Sequence, residues 1–262
     1  MPVGWGRGVS WIAPTFTDSF SMPPFIVISV AAIVSIAPAI PKQTPTDLQL
    51  AVNYNPPNRG APGNSTGHAG SRPACPPVST KPFAAFAPAM NFGLTAGESP
   101  RFWLYVPYES GRVEGVFRDE QTQDEVYQTI VDATQAGLLG VPISDAGLEV
   151  DRSYTWEFKL FCNPDNDDDY LSITGVIARE LPDGELESNL ETATPLERVH
   201  LWAESGVWYE TMDELVQLRC ANPEDAELAA DWADLMRHPA VGLDEFVDVS
   251  IDSGCETANS EP

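Results

Sequence analysis

The stretch Tyr154–Cys162 reads YTWEFKLFC. Tyr154, Trp156, Phe158, Leu160 and Cys162 fall on one face at period two, while Thr155, Glu157 and Lys159 take the other. That alternation predicts a half-buried β-strand with an aromatic inner face. A second run, RFWLYVPY (Arg101–Tyr108), places Phe102, Leu104 and Val106 on one face and Trp103, Tyr105 and Pro107 on the other. Both faces are apolar, so this strand should be central or covered by the C-terminal part. Shorter strands are expected at Val113–Asp119, Glu125–Asp132, Leu138–Ile143 and Leu171–Glu180. Turn signals separate them at Glu109-Ser110-Gly111, Asp145-Ala146-Gly147 and Pro182-Asp183-Gly184. Short strands spaced by roughly ten residues predict an antiparallel β-sandwich resembling immunoglobulin or fibronectin modules.

From Thr194 the period changes. Thr194-Pro195-Leu196-Glu197 is a capping box with proline at the first helical position. Leu196, Val199, Trp202 and Ala203 follow at helical spacing and Gly206 ends the helix. A second helix is expected from about Trp208 or Thr211 to Arg219, burying Met212, Leu215, Val216 and Leu218. A third starts at Asn222-Pro223-Glu224-Asp225, with Leu228, Ala229, Trp232, Leu235 and Met236 as its apolar side. One tetratricopeptide-like unit is visible here, without a second copy, so a helical hairpin docked on the sandwich is expected. The fold class is thus α+β. The domain reading assigns 1–39 to a signal peptide with a long n-region, 40–77 to a flexible Pro/Gly-rich linker and 78–184 to the sandwich. The remainder divides into a helical segment, 185–250, and an acidic tail, 251–262.

The export reading rests on FIVISVAAIVSI (Phe25–Ile36), an uncharged run followed by Ala37 and Ala39 in an A-x-A arrangement. It is short for a bilayer span, and an uncleaved anchor or a buried segment are the competing readings. The expected location is extracytoplasmic, in the periplasm or secreted, with no stable membrane span after signal cleavage. Net charge is −25, unevenly spread. Residues 98–182 carry six basic and seventeen acidic side chains, and residues 183–262 carry three and twenty. Such a surface repels nucleic acid and anionic lipid, whose binding depends on Lys and Arg; it reads first as a solvated acidic surface and suits solubility, cation association or a basic partner.

Four cysteines in an exported chain admit disulfides. Cys162 ends the aromatic face of its strand and Cys75 lies where the linker meets the fold. Their pairing is expected, and would contribute roughly 4 kcal/mol in the chain-entropy model. Cys220 and Cys255 form either a second pair or free thiols. No C-x-x-C spacing supports zinc, with only His68, His200 and His238 available. The glycine-rich stretch Asn58–Gly70 lacks the Lys-Ser/Thr ending of a phosphate loop, and no G-x-S-x-G elbow exists. His200 beside a buried stripe reads as a structural histidine. Asp165, Asp167 and Asp169 match the first alternating positions of a calcium loop, but Tyr170 replaces its glycine and Val176 its bidentate glutamate. They form a weak candidate calcium turn. Trp202, Trp208 and Tyr209 read as a packing seam, with a ligand groove as the alternative. No catalytic residue and no cofactor is assigned.

The ordered phrases RGAP…GHAGSRPAC, ESPRFWLYVPY, YTWEFKLFCN, GVIARE, GVWYETMDELVQLR and WADLM resemble the cyanobacterial domain-of-unknown-function family 928, over about Arg59–Val249. The resemblance implies an exported cyanobacterial protein and brings no activity, substrate or catalytic residue. The expected function is a non-catalytic binding or structural module of the cell envelope, with an unknown protein or envelope component as partner. Two alternatives are a carboxylate-based hydrolase of envelope glycan or peptide and a calcium-dependent adhesin or matrix component.

Overall fold

The computed structural model describes residues 51–58, 75–163 and 166–258, together with Ala13 and Thr15. The candidate signal segment and most of the linker lie outside the described residues. Eight strands are followed by helices. The strands are β1 (Ala84–Ala85), β2 (Phe92–Thr95), β3 (Arg101–Val106), β4 (Gly111–Asp119), β5 (Glu125–Ala133), β6 (Gly137–Pro142), β7 (Arg152–Phe161) and β8 (Tyr170–Arg179). They form a five-stranded sheet, β2-β8-β7-β4-β5, and a three-stranded sheet, β1-β3-β6. All pairings are antiparallel except that of β2 with β8.

The YTWEFKLFC stretch is β7, at the centre of the larger sheet. Its aromatic face is fully buried, with Trp156 only 1% exposed. Each of the two central rings has a glycine as cross-strand neighbour on one side, Gly175 facing Trp156 on β8 and Gly115 facing Phe158 on β4. A Cβ at 175 would run into the Trp156 ring and approach the Asn91 carbonyl oxygen to 2.7 Å, and one at 115 would lie 2.6 Å from Phe158. Gly at both sites lets the rings lie flat over the neighbouring strands. From the smaller sheet, Phe102 of β3 closes the layer, its ring 5.4 Å from Phe117, 5.5 Å from Trp156 and 5.2 Å from Phe158. The other face of β3 is buried too. Trp103 donates to Asp213 Oδ1 at 3.1 Å, and Tyr105 lies 5.3 Å from Phe246. C-terminal elements therefore cover β3, which explains its two apolar faces.

The helices are α1 (Gly184–Thr192), α2 (Pro195–Glu204), α3 (Trp208–Ala221), α4 (Ala226–Arg237) and α5 (Asp252–Ala258), with a 3-10 turn at Asp244–Phe246. The Thr194–Glu197 capping box opens α2. Asp183, expected in a turn, instead caps α1 by accepting from the Leu186 N–H at 2.8 Å. The principal helical partner of α3 is α2 rather than α4. Glu214 of α3 takes Arg198 at 2.5 Å and the Trp202 indole at 3.0 Å. Ala229, read on the apolar side of α4, is exposed, whereas the charged Asp231 is buried there.

Two stretches depart from their sequence readings. Within the linker, Val52 and Tyr54 are buried, Tyr54 meets the Trp208 ring edge-on at 5.0 Å, and the Asn55 N–H donates to the Ala203 carbonyl at 3.0 Å. The described part of that arm is docked on the helices by these two buried side chains and the Asn55 hydrogen bond. Part of the acidic tail is α5, whose Cys255 is bonded to Cys220 at the end of α3. Cys75 is bonded to Cys162, with a Cα separation of 6.0 Å.

Trp156→Ala is expected to destabilise the fold by about 3–5 kcal/mol in urea unfolding, because its site is enclosed on every side. Peptide mapping of the oxidised protein should return the Cys75–Cys162 and Cys220–Cys255 links, and no other pairing.

Candidate functional site

A cleft of about 400 Å³ opens where the β2–β3 turn, the end of β6 and the first turns of α3 meet. Ser99, Arg101, Ser144, Asp145, Glu210 and Asp213 supply its polar lining. The residues reach it for separate reasons. Arg101 begins β3 and Pro142 ends β6, so pairing of these strands sets their positions. Asp145 holds a left-handed backbone, φ 59°, in the turn after β6. Glu210 and Asp213 project from one side of α3, three residues apart.

Both carboxylates are held. Glu210 Oε1 accepts from Thr95 Oγ1 at 2.7 Å and from the Ala96 and Gly97 N–H groups at 2.9 Å. Its other oxygen, Oε2, is buried without a protein partner. Burial raises the Glu210 carboxyl above the ordinary carboxylate range, outweighing hydrogen bonds that favour its charged form. Asp213 Oδ1 accepts from Trp103 and lies 3.4 Å from Arg101 Nε, while Oδ2 accepts from Gln217 Nε2 at 2.7 Å. Burial raises this carboxyl too, against the Arg101 charge and those hydrogen bonds. The result is a polar recess with fixed acceptors and one guanidinium, in which Ser99 and Ser144 add hydroxyl groups.

Beside the cleft, Tyr209 packs its ring 4.5 Å from Phe102. The Tyr54 hydroxyl is buried without a protein partner. Burial pushes the Tyr209 hydroxyl well above its usual range, against a hydrogen bond from Trp156 and with smaller contributions from the Tyr54 and Glu210 charges.

A family model described as Domain of Unknown Function (DUF928) matches residues 67–251. The chain belongs to the DUF928 family. No curated protein matches it. The DUF928 segment contains every residue of the cleft and both cysteine pairs except Cys255.

The residues singled out in the sequence fall elsewhere on the DUF928 fold. In the acidic turn, Asp165 lies outside the described residues. Asp167 accepts from Arg112 Nη2 at 2.7 Å, and Asp169 is buried, its charge adding to the burial that raises the Tyr108 hydroxyl. Among the described residues no cluster of His, Cys, Asp and Glu could hold a metal ion. His200 Nε2 stands 3.9 Å from Asp231 Oδ2, on helices away from the cleft lining. His238 Nδ1 accepts from the Ala240 N–H, and His68 lies outside the described residues. Trp202, Trp208 and Tyr209 are all buried in packing, and of the three only Tyr209 borders the cleft. Sequence reasoning passed over Arg101, Glu210 and Asp213. The available signal was the pair of acids three residues apart beside the buried stripe of α3, which looks the same as a solvated helix flank.

The raised Glu210 carboxyl gives a pH dependence of defined sign. A folded-state value above the unfolded one stabilises the fold while the group is protonated, and this contribution is lost as pH rises through the folded value. As pH rises above about 4, Glu210→Gln should therefore gain urea resistance relative to the parent. Glu210→Ala, which strips three donors of their acceptor, should cost about 2–4 kcal/mol throughout.

Proposed function

We propose that this DUF928 protein is a non-catalytic, extracytoplasmic binding module of the cell envelope, and that the β2–β3/α3 cleft takes its ligand. The observation that carries the reading is the state of the cleft's charges. Glu210 and Asp213 are immobilised by turn amides, an indole and Arg101, so they present fixed acceptors and do so on rigid elements. Location outside the cytoplasm is supported by two disulfides, which persist in oxidising compartments. Among the described residues no helix is long and apolar enough to cross a membrane. The scaffold reads as an immunoglobulin/fibronectin-like sandwich with docked helices. The strand order supports this, since first strands divided between two sheets and a parallel pairing of β2 with the last strand suit such a topology.

One observation favours hydrolysis as a second reading. Two carboxyls with raised affinity for protons share a single cleft, as acid–base chemistry on glycan or peptide requires.

The experiment is co-sedimentation of the oxidised protein with an envelope fraction. The parent should pellet, and Ser144→Trp, which fills the cleft mouth, should weaken pelleting about tenfold. Equal pelleting of both would remove the cleft from the reading. Release of soluble glycan or peptide by the parent, abolished in Glu210→Gln, would replace it with the hydrolase.

A further inference from the structure

The five-stranded sheet ends on β5, and among the described residues no strand pairs with its outer edge. Exposed edges are ordinarily blunted by shortness, proline or lysine, because bare backbone donors and acceptors template another strand. β5 has none of these three; its protections are a bulge near its start and the acids at its ends. It is nine residues long, EVYQTIVDA, with no proline and no lysine, and its one irregularity lies near its start, opposite Phe117/Arg118. Val126 is 42% exposed and Ile130 59%. On the inner face Tyr127 and Val131 pack against the core yet stay partly uncovered. The three-stranded sheet leaves that margin of the larger one incompletely closed.

The exposed charges around the edge are mostly acidic. Glu120, Asp124, Glu125 and Asp132 are all exposed. The nearby cations are committed, Arg118 to Glu125 at 3.6 Å and Arg112 to Glu114 and Asp167. Glu125 and Asp132 stand seven residues apart, about 23 Å along a strand, and the register shift places both on the face that carries Arg118 and Arg112. A second copy fits poorly. Antiparallel self-pairing about Thr129 would set Glu125 and Asp124 of one copy beside Asp132 of the other at both ends, between chains of net charge −25.

We propose that β5 is a docking edge for an extended, basic segment of a partner protein, which adds as a sixth strand. Its backbone would pair with the free edge of β5, β-branched or apolar side chains would cover Val126, Ile130, Tyr127 and Val131, and basic residues at both ends would meet Glu125 and Asp132. This edge shares no residue with the cleft, so the two readings stand or fall separately.

The test is calorimetric titration of the full oxidised chain with two synthetic peptides, KTVTVTVK and its Glu-ended counterpart ETVTVTVE. The parent should prefer the Lys-ended peptide by about tenfold or more, and added salt should erode the preference. The double variant Glu125→Lys/Asp132→Lys should invert it, and Ile130→Lys should weaken both peptides. Each variant is first required to keep the parent's urea midpoint. Equal affinity for both peptides, binding of neither, or an unchanged preference in the double variant would overturn the proposal. A parent dimer in sedimentation that Ile130→Lys dissociates would also overturn it, by giving the edge to a second copy.

Discussion

The fold hangs on the contact between Phe102 and the aromatic face of β7. Rings of that size need width as well as depth, and the width comes from the flanking strands at Gly115 and Gly175. Phe102 then enters from the smaller sheet against Phe117, Trp156 and Phe158. Aromatic pairs in such tilted and edge-on geometry contribute beyond their area. Because β3 presents Trp103 and Tyr105 on its other side, pairing the two sheets through Phe102 leaves a second apolar face of β3 to be covered. The C-terminal helices cover it, so they belong to the same cooperative unit as the strands.

Helix α3 is where these demands converge. Its buried side carries Tyr209 to Phe102 and Met212, Leu215 and Val216 into the core, while its indole at Trp208 donates to the Phe86 carbonyl at 2.8 Å. Its polar flank holds the β2–β3 turn through Glu210, β3 through Asp213 and α2 through Glu214. Three acids within five residues thus fix three different elements. Buried carboxylates are costly unless they are given donors. Here nearly every donor is supplied, and the exception, Glu210 Oε2, sits beside the cleft.

What the sequence disclosed followed period and punctuation. Strands from β3 to β8 were legible because YTWEFKLFC and its neighbours alternate cleanly and end at turn residues. Helix α2 was legible because Thr194, Pro195 and Glu197 spell its start. β1 and β2 were not, being two and four residues long, below the length at which alternation can be counted. Asp183 was misread because one aspartate serves a turn and a helix cap equally well. The docking of Val52 and Tyr54 and the helical nature of the tail depend on distant surfaces that no local pattern records. For the same reason the cleft was invisible. Arg101, Glu210 and Asp213 acquire their setting only when residues more than a hundred positions apart come together.

The two disulfides close loops that follow one another along the chain, Cys75 to Cys162 and then Cys220 to Cys255, without nesting or crossing. A chain emerging from its amino terminus therefore presents the first pair, with seven of the eight strands complete, before either cysteine of the second has appeared. Oxidation in order of emergence therefore yields the native connectivity directly.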